Sequence, residues 1–241
     1  MGSVRKPTEH DAVVEGQFAE LKAVYPDLEL YKKADGTWGM SGEFSFEAEY
    51  QGTVIQDSFA IVITLAGDYP RSPPKVFETG GRIPFDWHRM DDESLCLGAT
   101  VAVRIAFAEN PRLLGFVNDQ LVPYFYSFCF NERERITPWG ERPHGAKGVR
   151  EFYEEYFATD NAFVILRMLS ILASAKYRGH QACPCSSNKK LRNCHGPQLR
   201  HLSEIESPDG FRRDLQYILG ALTPKEQASL DTVLAPSRGQ S

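Results

Sequence analysis

Apolar residues recur along this chain with two periods, and the switch between them marks its elements. From Thr8, the positions Val13, Phe18, Leu21 and Val24 make a roughly helical stripe. Glu9 and Asp11 sit near its electropositive start, and Tyr25-Pro26 stops it. A short strand follows over residues 28–32, and Asp35-Gly36 turns the chain into a second over 37–50. There Phe44, Phe46, Ala48 and Tyr50 alternate with Ser45, Glu47, Glu49 and Gln51, the period of a strand with one wet face. Gln51-Gly52 turns into a third strand over 54–66, apolar enough from Phe59 to Leu65 to be central. Residues 73–77 make a short fourth strand whose prolines suit a sheet edge. The pattern predicts one helix followed by a four-strand antiparallel meander.

No element is assigned to residues 99–109. Asn110-Pro111 reads as a helix start, with Asn as cap and Pro at the first helical position. Leu113, Val117, Leu121 and Phe125 recur every four residues as a buried stripe, and Pro123 predicts a kink. Residues 131–148 are polar and rich in Pro and Gly, which predicts a long loop. Helices are predicted over 148–157 and 161–176, the second apolar on most sides and therefore buried, and again around 211–222 and 224–233. The tip 1–7 and the tail from Pro236 are read as unstructured. The fold class is α+β, divided into residues 1–157 and a helical extension over 158–241.

Composition narrows this picture. The chain has 241 residues, 42% of them hydrophobic, enough for a substantial core. A net charge of −5 gives no overall nucleic-acid footprint, so no nucleic-acid partner is expected. The longest apolar run, residues 162–175, is broken by Arg167 and is too short to span a bilayer; with no apolar leader, no membrane association is expected. Five cysteines, three of them within twelve residues, read as reduced thiols in a cytoplasmic protein rather than as a disulfide framework.

Those three form the stronger chemical motif: Cys183-Pro184-Cys185, eight residues, then Cys194-His195. Three thiolates and an imidazole are a complete tetrahedral set for Zn²⁺, with no open position for water, so the site would be structural. Lys176, Arg178, Lys189, Lys190, Arg192 and Arg200 surround it in sequence, with no acidic residue between 176 and 203. This run reads first as a solvated face that partly offsets the thiolates. A docking surface for an acidic partner or nucleic acid is the second reading. Residues 180–200 resemble the SEC-C motif, C-x-C-x8-C-H, with Lys189, Lys190 and Gly196 also fitting that family.

The second motif lies in residues 69–98, which open on Pro70, Pro73 and Pro74, pass His88 and close on Cys96. Taken alone, Cys96 between Leu95 and Leu97 is as well explained by inert packing. The order of elements, together with Tyr69-Pro70, Pro73-Pro74, His88 and Ser94-Leu95-Cys96-Leu97, resembles the ubiquitin-conjugating (E2) fold over about residues 8–130. In that family the prolines form a characteristic box and the cysteine is the active site. Eukaryotic members carry His-Pro-Asn ten residues before the cysteine; here that place holds Asp86, followed by Trp87-His88. The histidine eight residues ahead of the cysteine is instead similar to the bacterial E2-like branch. So are the run from Pro138 through Trp139, Arg142 and His144 to Gly145, and Tyr153. That branch sits in antiphage operons of the CBASS (cyclic-oligonucleotide signalling) type.

The resemblance implies a transferase that takes the C-terminal carboxylate of a partner protein as a thioester on Cys96 and passes it to an amine. The implied partner is a CD-NTase-like cyclic-oligonucleotide synthase or a ubiquitin-like protein, with an E1-like enzyme as a further expected partner. His88 would stabilise the oxyanion or move a proton; a loop histidine bonded to backbone is its plain alternative. The pair Asp91-Asp92 reads as solvated turn carboxylates or as a base for an incoming lysine. Cys129 reads as core, and His144 as part of an acceptor surface or a loop-to-helix joint. Two other functions fit the same residues: a catalytically silent E2-like adaptor, and a cysteine hydrolase built on Cys96 and His88.

Overall fold

The alternating run at Phe44 and Phe46 becomes the middle of a four-stranded sheet. The structure, a computed structural model, describes residues 8–138 and 145–234. The tip, the tail from Pro236 and His144 lie outside the described residues. The chain forms two units, residues 8–98 with 103–138, and residues 99–102 with 145–234. The sequence pattern puts the division after Phe157 instead. Residues 145–156 group with the second unit because the buried Tyr153 hydroxyl donates to Asp214 there, at 2.7 Å.

In the first unit, α1 (Glu9–Val24) precedes β1 (Leu28–Lys32), β2 (Trp38–Tyr50), β3 (Thr53–Thr64) and β4 (Lys75–Glu78). The strands pair antiparallel in the order β1-β2-β3-β4, so the proline-led β4 lies at an edge. Thr8 and Asp11 close a reciprocal capping box on α1. Lys32 and the Trp38 indole also donate to the Asp11 carboxylate, at 2.5 and 2.9 Å, and hold its pKa well below the usual range. One side chain thus starts the helix and ties it to two strands. The buried stripe is Val14, Phe18 and Leu21, continued by Tyr25; Val24 is exposed, because the helical period carries it off the sheet.

The stretch left unassigned before Asn110 is a helix, α2 (Thr100–Glu109), whose β-branched residues and weak periodicity conceal it. Asn110-Pro111 is a turn rather than a cap, since the Arg112 N–H bonds the Asn110 carbonyl at 2.8 Å and the next helix starts at Leu113. That helix runs through α3 (Leu113–Phe116), a π-helical turn (Val117–Leu121) and α4 (Val122–Glu134). A stripe recurring every four residues drifts on an α-helix, which turns every 3.6. The wider π turn takes up the drift immediately before Pro123, which has no N–H to donate. Asn131 to Glu134, predicted as loop, continue α4, which ends at Arg135 with φ 61°.

Phe125 of α4 is the centre of the first core. Its ring lies 4.3 Å from Phe59, 5.5 Å from Phe44 and 6.3 Å from Phe46, centroid to centroid. The strand period places Asp57 on the same face as Ile55 and Phe59, at the edge of this aromatic cluster. Arg82 meets that carboxylate with two 2.8 Å bonds, stacks over Phe59 at 4.7 Å and reaches Glu132 of α4 at 2.6 Å.

The second unit holds α5 (Gly145–Tyr156), α6 (Ala162–Ala173), α7 (Gly196–Ile205), α8 (Pro208–Gly220) and α9 (Pro224–Leu234). Asn161 caps α6, accepting from the N–H groups of Phe163 and Val164. As its apolar circumference predicts, α6 is buried on most sides, and it packs chiefly on α8. The sequence pattern does not separate α7 from the cysteine-rich segment before it, and α5 starts at Gly145 rather than 148. No helix among the described residues is long and apolar enough to cross a membrane.

Arg82 lowers the Asp57 pKa to about 2, against the opposing effect of burial. A carboxylate depressed in the folded state contributes stability above its unfolded pKa and loses it as pH falls through the folded value. Asp57→Asn is therefore expected to cost about 1–2 kcal/mol at pH 7. The difference from wild type should close between about pH 4 and pH 2. Urea denaturation of both proteins across that range is the measurement.

Candidate functional site

Cys96 stands on a loop docked against the free edge of β4. The Leu95 N–H bonds the Val76 carbonyl at 2.8 Å, and Leu95 itself is buried in the core. Upstream, the chain folds into a narrow hairpin in which Arg89 pairs antiparallel with Leu95. The Met90 N–H reaches Ser94 O at 2.8 Å, and the Cys96 N–H reaches His88 O at 2.7 Å. The eight-residue spacing of His88 and Cys96 is thus the span of this hairpin, with the two residues opposite each other. His88 has φ 43°, the left-handed region that non-glycine residues seldom enter.

What holds the loop is a buried carboxylate. Glu78, at the end of β4, has a side chain only 1% exposed. It accepts from the backbone N–H groups of Arg82 and Ile83 at 3.3 Å each and pairs with the Arg89 guanidinium at 2.9 Å. Arg89 also donates to Ile83 O at 2.8 Å, so both ends of the segment from 79 to 89 converge on one side chain. At the hairpin tip, Asp92 accepts from the Ser94 N–H and hydroxyl and pairs with Lys75 at 2.5 Å. Those contacts, Lys75 foremost, lower its pKa to about 2 and make it a tie across the hairpin tip. Asp91 and Asp86 are exposed.

The Cys96 thiol is half-buried, with Sγ 3.8 Å from the Gly98 carbonyl oxygen. Burial pushes its pKa up, and hydrogen bonding to the Gly98 backbone offsets part of that. Tyr124, on α4, is the neighbour that the sequence did not single out. Its hydroxyl donates to the carbonyls of Trp87 and His88 at 3.3 Å each, and its ring lies edge-on to His88. Burial raises its pKa, as do the charges of Cys96 and Glu78, whereas Arg89 lowers it. Only its place beside Phe125 in the helix period hinted at it. Cys129 is core, as expected; its Sγ lies 3.3 Å from Asp57, and burial raises its pKa to about 12.

The second cluster is built by a separate hairpin. Ala182 pairs with Lys190, Cys183 N–H bonds Lys189 O at 2.9 Å, and Leu191 N–H returns to Gln181 O at 2.8 Å. Positive φ at Ser186 and Asn188 closes the turn. Cys183 and Cys185 project from this hairpin, a single 3₁₀ turn (Leu191–Asn193) delivers Cys194, and His195 begins α7. The four donor atoms all lie within 4.8 Å of one another. Cys183 Sγ is 3.2 Å from His195 Nδ1, Cys194 Sγ is 3.4 Å from it, and the sulfurs of Cys185 and Cys194 are 3.5 Å apart.

Tetrahedral bonds of about 2.3 Å to sulfur imply sulfur separations of about 3.8 Å, so the cluster is sized to hold a metal ion. The other ring nitrogen of His195, Nε2, lies 3.1 Å from Phe157 O, which directs Nδ1 to the sulfurs. Burial raises Cys183 to about 11. Burial acts the same way on Cys185, but hydrogen bonds from Ser187, Cys183 and Cys194 outweigh it and bring its thiol to about 6. The structure therefore brings together all four residues of the spacing motif.

No protein-family model matches the chain, and no curated protein does. Among solved structures, the chain is similar to the crystal structure of the yeast vps23 UEV domain in complex with a vps27 PSDP peptide. The match has 14% identity, covers 42% of this chain and 74% of that one, and has a TM-score of 0.29.

Two outcomes follow from this geometry. Glu78→Ala leaves the Arg89 charge buried without its partner and is expected to cost about 3–5 kcal/mol. The double variant Glu78→Gln/Arg89→Met should recover much of that. Urea denaturation reads the stability, and the rate of Cys96 alkylation reads the loosened loop. For the metal cluster, elemental analysis of the purified protein should find one thiophilic divalent ion per chain. Cys185→Ser should lose it, and a chelator should remove the order of residues 180–200, because metal binding at such a site is folding energy.

Proposed function

We propose that this protein is an E2-like conjugating enzyme that carries the C-terminal carboxylate of a partner protein as a thioester on Cys96 and transfers it to an amine. One observation carries the proposal. A half-buried thiol ends a loop that is pinned to the sheet edge through Leu95 and Val76, directly across a hairpin from His88. The order of elements around it, a helix, an antiparallel meander, a proline-led edge strand and a cysteine loop, supports an E2/UBC-like fold for the first unit.

In the chemistry, the Cys96 thiolate attacks the acyl carbon of a carboxyl already activated as an adenylate or a thioester. The C–S bond forms as the nucleotide or donor thiolate leaves. An amine then attacks the same carbon, forms the amide C–N bond and expels the Cys96 thiolate, while the ammonium proton passes to solvent or to the released sulfur. Burial raises the thiol pKa and so lowers its thiolate fraction, and this reading meets that with an acyl donor that arrives already activated. His88, opposite the cysteine, is the group in this reading that meets the oxyanion or moves the proton. Tyr124 holds the His88 backbone and so acts as a positioning residue.

The partner in this reading is a CD-NTase-like cyclic-oligonucleotide synthase or a ubiquitin-like protein, with an E1-like enzyme supplying the activated carboxyl, in bacterial antiphage defence. The ion held by Cys183, Cys185, Cys194 and His195 is zinc in a structural role: a saturated sulfur–nitrogen set leaves no open coordination position. A second reading, a silent E2-like adaptor, is favoured by the absence of asparagine from Asp86-Trp87-His88, the place of the eukaryotic His-Pro-Asn.

The two separate on a non-reducing gel with intact mass, comparing wild type, Cys96→Ala and Cys96→Ser co-expressed with operon neighbours. The enzyme reading expects an adduct that thiol removes, that Cys96→Ala lacks and that Cys96→Ser holds as a stable ester. A thiol-sensitive adduct surviving in Cys96→Ala overturns the assignment. Co-purification indifferent to residue 96, without an adduct, establishes the adaptor.

A further inference from the structure

The second unit contains a cleft that no step of the proposed chemistry uses. It has a volume of about 250 Å³ and lies where α6, α7 and α8 meet. Its walls are Ile171 and Leu172 of α6, Leu199 of α7 and Phe211 of α8, with Tyr177 and Arg200 at the polar side. Sites for drug-sized ligands run to about 300–1,000 Å³, so this one fits a single large apolar side chain rather than a cofactor.

Arg200 lines the cleft, and Lys176 and Arg178 flank the lining residue Tyr177 in the chain. Lys176, Arg178, Arg192 and Arg200 are all exposed, and among the described residues none has a carboxylate within ion-pair distance. The Arg200 guanidinium lies 5.8 Å from the Tyr177 ring centroid, at the cleft wall. Arg192 is drawn alongside by its N–H bond to Gly179 O at 3.0 Å. The acidic side chain lining the cleft, Glu206, is buried, and its Oε1 accepts from the Ser207 N–H and hydroxyl. Those bonds tie its carboxylate to the start of α8, while the cations face water.

The metal cluster shapes this wall. The Tyr177 hydroxyl packs so closely on Gly196, the residue after His195, that a methyl group there would sit 2.4 Å from it. Only glycine at that position lets the ring reach the cleft.

We propose that this cleft binds an acidic peptide segment of a protein partner, with one large apolar side chain in the cavity and flanking carboxylates on Arg200 and its neighbours. The apolar floor selects the anchor and the unpaired cations select the flanks. A nucleic acid would use the same cations but would leave an apolar hole of this size unfilled. The proposal stands independently of the chemistry at Cys96.

The test uses the full chain with labelled Ile and Leu methyl groups. It is titrated with the acetylated and amidated pentapeptides Glu-Asp-Leu-Asp-Glu and Glu-Asp-Phe-Asp-Glu, followed by NMR. The expected result is saturable shifts at Ile171, Leu172 and Leu199. Binding should weaken by about tenfold when glycine replaces the anchor. It should weaken by a similar factor in Arg200→Gln, whose exposed site leaves the fold intact and whose methyl spectrum confirms it. Three outcomes overturn the proposal: no cavity shifts from either peptide at millimolar concentration; equal binding of the glycine peptide; or cavity shifts from a thymidine dodecamer in place of the peptides.

Discussion

The first unit depends on a buried carboxylate. Glu78 sits at the end of a four-residue edge strand, where the chain must leave the sheet, cross a segment crowded with glycine and proline, and return to the same strand edge. A buried carboxylate without partners would be costly, so its desolvation is offset only if the segment folds back to supply two backbone donors and a guanidinium. That requirement fixes Arg89, the position of Arg89 sets the pairing with Leu95, and the pairing brings Cys96 across from His88. The loop is thus held by one satisfied polar centre rather than by an apolar core of its own.

The second unit solves a similar problem with sulfur. Its cysteine hairpin buries little apolar surface beyond Leu191 and Cys183, too little to hold a loop with two residues at positive φ. Convergence of four donors within bonding range of a common centre supplies the missing cohesion once an ion is bound. The same convergence places Gly196 against Tyr177 and so forms one wall of the cleft. In both units a polar or ionic centre shapes a surface, and the aromatic and aliphatic cores supply the rigid frame behind it.

Much of this was legible along the chain. Strict alternation at Phe44, Phe46 and Ala48 gave β2 and its wet face, because a two-residue period has no other structural use. The apolar circumference of residues 162–173 gave a buried helix, and the spacing from Cys183 to His195 gave the ligand set, because few other arrangements bring three sulfurs and a ring nitrogen together. The errors have equally local causes. In α2 the β-branched residues blurred the period; at Asn110 a turn imitated a cap; and residues 131–134 were polar because the last turn of α4 stands in water, not because the helix had ended.

The sequence by itself determined the α+β class, the meander, the four clustered donors that could hold a metal ion and Cys96 as the thiol on a loop, since each is written in a period or a spacing. Only the tertiary structure decided the roles of Glu78, Tyr124 and Asp92, and the existence of the cleft. Glu78 and Asp92 look like any surface carboxylates until burial and facing cations distinguish one as the anchor of a loop and the other as its tie. Tyr124 gains a role only when α4 is laid against the hairpin carbonyls, and a cavity belongs to three helices at once. Such features arise from contacts between residues far apart in the chain, whose physical cost and partners no local pattern records.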